Sequence, residues 1–144
     1  MDTTVQERGV VEAGRRARPE VLLEAPESAE TAAIWDILED AGYRVSWCPG
    51  PEGASPVWCP LLGGNRCALV ESADAVVCAL PADGPCYGNV LAGLGRLHPE
   101  TPVVVQAHAR SGAWHRLHGP SAARRAGSAA ELVECVEASL HFTR

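Results

Sequence analysis

The stretch "EVLLEAPESAETAAIWDILEDAGYRVSWC", residues 20–48, decides the fold. Val21, Leu22 and Leu23 form a short apolar run, cut off by Glu24, Ala25 and Pro26, which reads as a buried strand with a sharp end. Ser28 stands where an N-cap belongs. After it Ala33, Ile34, Ile37, Leu38 and Ala41 recur at helical spacing, and Gly42 supplies the stop. "YRVSWC" is a second strand, of alternating type. The period changes twice within this one stretch, giving strand, helix, strand.

The same succession continues downstream. "CALVESA" is a short helical segment, "DAVVCAL" a strongly apolar strand and "PADGPCYG" a loop. "NVLAGLGRLHP" predicts a helix carrying Val90, Leu91, Leu94 and Leu97, and "TPVVVQAHA" the next buried strand. "SGAWHRLHG" predicts a weak helix, and "SAAELVECVEASLHF" closes the chain as an amphipathic helix with Leu132, Val133, Val136 and Leu140 inward. Short apolar strands separated by helices describe a parallel sheet covered on both faces. The expected architecture is one doubly wound α/β domain, with a mostly parallel sheet of four to five strands.

The chain has 144 residues, a natural size for one domain with an adequate core. Residues 1–18 read as a flexible tail, and 19–144 as the folded domain with a Cys/Pro/Gly-rich insertion at 48–67. Neither a bilayer-spanning run nor a signal peptide is read, so the expected setting is cytoplasmic, where thiols stay reduced. A net charge of −6 argues against nucleic acid as partner. The absence of lysine excludes a Schiff-base lysine, a phosphate-loop lysine and a lysine general base.

The order of segments resembles the receiver domain of bacterial response regulators, a flavodoxin-like fold with strand order 2-1-3-4-5. "VLLEAPESAETAAIWDILEDAGYRV" is similar to the family's first strand, first helix and second strand. "DAVVCALPADG" resembles its third strand and following loop, "TPVVVQAHA" its fourth strand, and "AGSAAELVECVEASL" its last helix. The fifth strand is expected around Ser121–Arg125. The resemblance implies an aspartate phosphorylated at the end of strand three, Mg²⁺ on an acidic pair after strand one, a hydroxyl after strand four and a lysine after strand five. Carried over, the acidic pair leaves only Glu24, beside Ala25 and Pro26, and the acceptor falls at or beside Ala79. The hydroxyl position reads Gln106-Ala107-His108, and Arg125 is nearest the place of the lysine. The resemblance therefore implies a degenerate receiver without phosphotransfer.

In such a sheet ligands bind outside the carboxyl ends of the strands. Glu24, Cys48, Cys59, Cys67, Asp83 and Cys86 all fall on that edge in the expected topology. Four thiolates there would suit zinc or an iron–sulfur cluster, although the spacings C-x10-C-x7-C-x18-C contain no C-x2-C pair. Packing as small apolar groups and a redox pair such as Cys59 with Cys67 are the alternatives. Cys78 and Cys135 read as packing residues, and Trp47 and Trp58 as covers of the cysteine loop. His115 and His118, with His108, are a lesser metal candidate. "GNVLAGLG" is not a dinucleotide fingerprint and lies within a helix.

These features are compatible with three functions. One is a non-enzymatic, receiver-like signalling module that binds a partner protein, a homodimer being one form, through its strand-end face. The second is a metal- or cluster-bearing redox sensor on Cys48, Cys59, Cys67 and Cys86. The third is a small cysteine-dependent enzyme with Arg66 lowering the pKa of Cys67.

Overall fold

A computed structural model describes residues 18–51, 59–81, 84, 86–106 and 124–143. The elements in chain order are β1 (Glu20–Glu24), α1 (Ala29–Asp40), β2 (Arg44–Cys48), a 3₁₀ turn (Pro60–Gly63) and the single-turn α2 (Ala68–Glu71). They continue with β3 (Ala75–Cys78), α3 (Tyr87–Leu97), β4 (Val103–Gln106), β5 (Arg124–Ala126) and α4 (Ala129–Thr143). The five strands form one sheet in the order β2-β1-β3-β4-β5, every pairing parallel. This is the doubly wound arrangement and strand order expected from the sequence.

Local signals set the boundaries. Ser28 caps α1, its Oγ accepting from the Thr31 N–H. Gly42, at φ +97°, turns the chain into β2. The poorly legible fifth strand is three residues long, at Arg124–Ala126. The Pro/Gly-rich insertion contains an element that its composition did not announce, the turn Pro60–Gly63, which opens on a proline and ends in Gly64 at φ +79°. The expected tail residues 1–17, the weak helix of "SGAWHRLHG", and Trp58, Asp83, His108, His115 and His118 lie outside the described residues.

Alternation along β1 divides the core. Val21, Leu23 and Ala25 point to one face, with Ala75, Val77, Ala79, Val104 and Ala126, and meet Leu38 of α1 and Leu132, Val136 and Leu140 of α4. Leu22 points to the other face with Val76, Cys78, Val103 and Val105, and meets Tyr87, Val90, Leu91 and Leu94 of α3. Leu61 of the 3₁₀ turn, Cys67 and Val70 complete that second layer. Gly93 lets the turn settle there: a Cβ at this position would stand 3.1 Å from the Leu61 Cβ and 3.3 Å from its carbonyl oxygen. The inward stripe of α1 is narrower than its spacing predicted, since Ala33 is exposed and Thr31 and Leu38 are the buried residues. Among the described residues no helix is long and apolar enough to cross a membrane.

Candidate functional site

The carboxyl ends of β1, β2 and β3 align in register, with Glu24 opposite Cys48 on one side and Cys78 on the other. The parity that sends Leu22 to the α3 face sends Glu24 to the same face, where the thiols are. Backbone bonds continue past the strands. The Ala25 N–H donates to the Cys48 carbonyl at 3.0 Å, and the Ala79 N–H to the Glu24 carbonyl at 2.8 Å. The Trp47 indole Nε1–H donates to the Ala25 carbonyl at 2.8 Å, its ring 38% exposed at the rim.

Glu24 is only 4% exposed, and its Oε2 meets no hydrogen-bond partner. Burial pushes its carboxyl up to about 7. Burial likewise raises the Cys48 thiol, and a negative charge on Glu24, Cys67 or Cys59 would raise it further, while a backbone bond from Gly50 opposes the shift. The Cys59 thiol is raised first by burial and then by the charges of Glu24 and Cys67, against opposing bonds from Leu62 and Leu61. Cys78 is fully buried and its thiol is pushed far up for the same reason. Glu24, Cys48, Cys59 and Cys67 thus share one electrostatic neighbourhood.

β3 runs on into two buried apolar residues. Ala79 is 2% and Leu80 6% exposed. The Leu80 side chain rests over the loop after β2, where a Cβ on Gly50 would meet its Cδ2 at 2.6 Å. Cys86, at the N-cap position of α3, packs half-buried against the same apolar layer as Cys48 and Cys59. None of the six cysteines is in a disulfide. Among the described residues no group of three or more His, Cys, Asp or Glu side chains is placed to hold a metal ion. Thiols held protonated by burial behave as small apolar groups and as poor nucleophiles.

Arg66 is not available to activate Cys67. Its guanidinium donates to Glu71 Oε1 and Glu100 Oε1, each at 2.6 Å, and to the Leu97 carbonyl at 2.7 Å. Cys67 contacts His98 instead, a residue the sequence motifs did not single out. The Cys67 N–H donates to His98 Nε2 at 2.9 Å, which places the imidazole proton on Nδ1, 3.8 Å from Glu100 Oε1. The signal was present: His98 follows Leu91 and Leu94 on the buried stripe of α3. A cleft of about 410 Å³ opens beside this polar cluster, lined by Arg66, Glu71, Asp74 and Glu100. Asp74 and Pro102 of its lining precede β3 and β4, so the cleft lies at the opposite ends of the strands from Glu24.

The fold is that of the response-regulator receiver domains. A receiver protein from Sinorhizobium medicae superposes with a TM-score of 0.62 at 18% identity, over 88% of this chain and 98% of that one. The signal receiver domain of an HD domain-containing protein from Pseudomonas fluorescens gives 0.60 at 19% identity, over 88% and 97%. The receiver domain of a sensor histidine kinase from Pseudomonas aeruginosa, with a magnesium ion coordinated in its active-site cleft, gives 0.59 at 16% identity, over 86% and 98%. The sequence matches no protein-family model and no curated protein.

Proposed function

We propose that this chain is a receiver-like signalling module that binds a partner protein through its strand-end face and is regulated without phosphorylation. One observation carries the reading. At the strand ends the buried carboxyl among the described residues is Glu24, its Oε2 without a hydrogen-bond partner, while Glu27 of the following loop is exposed and β3 runs directly into Ala79 and Leu80. Mg²⁺ needs several oxygen ligands in near-octahedral geometry. Burial pushes the Glu24 carboxyl up to about 7, so even near neutrality it is only partly ionised, and it is set among thiols and apolar side chains, so these residues do not fit the ion. The chain also contains no lysine to read a phosphoryl group.

The docking surface combines Trp47 at the rim with half-buried Cys48, Cys59 and Cys86 around the covered centre. Six cysteines without a disulfide suit a reducing, cytoplasmic setting. A second copy of the chain is one form the partner can take.

Incubation with acetyl phosphate and Mg²⁺ is expected to leave the intact mass unchanged, and BeF₃⁻ to leave the amide spectrum unchanged. A stable acyl phosphate would overturn the regulatory half of the reading. For the docking half, proteins retained from a lysate of the source organism should be lost on Trp47→Arg and on Cys59→Arg. Retention indifferent to both substitutions would refute it.

A further inference from the structure

β2 is an outer strand of the sheet, and among the described residues it pairs with β1 alone. The Arg44 N–H donates to the Pro19 carbonyl at 2.9 Å, and the Cys48 carbonyl accepts from the Ala25 N–H at 3.0 Å. A parallel ladder uses alternate residues of a strand. Arg44, Ser46 and Cys48 therefore turn their backbone groups to β1, while Val45 and Trp47 turn theirs outward. None of the five residues of β2 is buried. A bare edge of this kind is a template for another strand, and natural sheets blunt it with short strands, charge or proline. β5, at the far edge, is three residues long and two of these are arginine. β2 is longer, has no proline, and carries its one charge, Arg44, at its first position.

We propose that β2 is a homodimerisation edge, on which two copies pair antiparallel about a two-fold axis at Ser46 and join their sheets into one. In that register Val45 falls opposite Trp47 of the second copy. Both residues present outward N–H and C=O groups, so they exchange a pair of hydrogen bonds on each side of the axis. Val45 packs on the α1/α4 layer, and the alternation of the strand puts Trp47 on the same face. Each side of the axis thus gains an aromatic–β-branched pair, which covers a Trp47 ring left 38% exposed in the single chain. On the other face Ser46 meets its own copy, and Arg44 falls opposite Cys48, whose neighbour in β1 is Glu24. An arginine of each copy is turned toward the corner that holds the other's carboxyl, and within the paired strands no like charges stand opposite. The occupant is a second copy because this strand satisfies its own donors, acceptors, apolar pair and charge. The surface is the sheet edge and not the strand ends, so the inference goes beyond the docking reading above. Such a short pairing makes a small interface, and the dimer belongs to the weak, reversible class.

The test is sedimentation equilibrium of the full chain under reducing conditions, at protein concentrations up to about 0.5 mM. The wild type is expected to show a monomer–dimer equilibrium. Val45→Pro removes an outward donor and leaves the ladder to β1 intact, since proline is tolerated on the solvent side of an edge strand. It should weaken dimerisation at least about tenfold, with the far-ultraviolet dichroism unchanged. A wild-type protein that stays monomeric throughout, or a dimer that Val45→Pro leaves as tight, would overturn the proposal. Should Val45→Pro not fold, Ser46→Cys decides. Across the axis the two copies stand within disulfide reach, so mild oxidation of that variant should give a covalent dimer joined at position 46, identified by peptide mass spectrometry. Cross-linking through the native cysteines alone, or none at all, refutes the register. Val45→Pro leaves Trp47 and Cys59 in place, so dimerisation can be lost while the strand-end face still docks its partner, and partner capture can fail while the dimer stands.

Discussion

Glu24 and His98 are both buried, and their linkage to pH has opposite signs. Glu24 titrates at about 7 in the folded protein against 4.5 for an ordinary carboxyl, so the native state holds a proton that the unfolded chain releases between those values. Stability therefore falls as pH rises through that interval. Glu24→Gln, which keeps the shape and removes the charge, should be more stable than wild type by up to about 3 kcal/mol at pH 8. The two should converge near pH 4, and urea melts at both values are the check. Burial lowers His98 below its ordinary 6.5, so the unfolded chain keeps a proton that the native state rejects, and stability is lost as pH falls below 6.5. His98→Leu leaves the buried Cys67 N–H without an acceptor and should cost about 1–3 kcal/mol at neutral pH. His98→Gln, whose amide oxygen can take the same bond, should recover much of that loss and flatten the acid limb. The sequence placed Glu24 at a strand end, but its burial without a partner depends on which side chains cover it, and those come from residues far away in the chain. His98 was legible from helical spacing alone, and a histidine on an apolar stripe is easily passed over as a helix-end residue.

Among the elements, the 3₁₀ turn and α3 show how a motif-like pattern can serve packing. "GNVLAGLG" has the look of a glycine-rich loop, yet it is helical, and Gly93 is there because Leu61 lies against it. Gly93→Val would set branched carbons into contacts already at 3.1 and 3.3 Å, including a backbone oxygen that cannot swing aside. The substitution should destabilise by about 1–3 kcal/mol and loosen the turn, raising exchange at Leu62 and Asn65 before that of β3. An unchanged melting temperature together with unchanged exchange would show that the turn does not depend on this contact. The four regular strands and three longer helices were readable because their apolar periods are clean. Two elements were not: the 3₁₀ turn is set by proline, glycine and one buried leucine, and β5 is a three-residue edge strand without a hydrophobic run. Cys67 and Cys86 became candidate ligands from the sequence through topology alone, which fixes a shared edge of the sheet but not where thiols point.

On the scale of the whole molecule, the two hydrophobic layers share strands β1 to β4 of one parallel sheet, which should couple their unfolding. Leu132 of α4 and Leu91 of α3 are both fully buried, on opposite faces. Truncating either to alanine should cost about 2–5 kcal/mol, the range for a cavity left in a well-packed core. The informative comparison is between probes. Far-ultraviolet dichroism follows the helices of both faces, whereas Trp35 packs against the α1/α4 layer only. If the sheet couples the layers, chemical unfolding of Leu91→Ala followed by helix content and by tryptophan emission should give one coincident transition, as should Leu132→Ala. A Leu91→Ala protein whose α3 layer melts first, leaving Trp35 in a native environment, would show that the layers are separate cooperative units. The strand-end face would then loosen with the α3 layer alone, because Cys48, Cys59, Cys67, Cys86 and Leu80 all pack on that side.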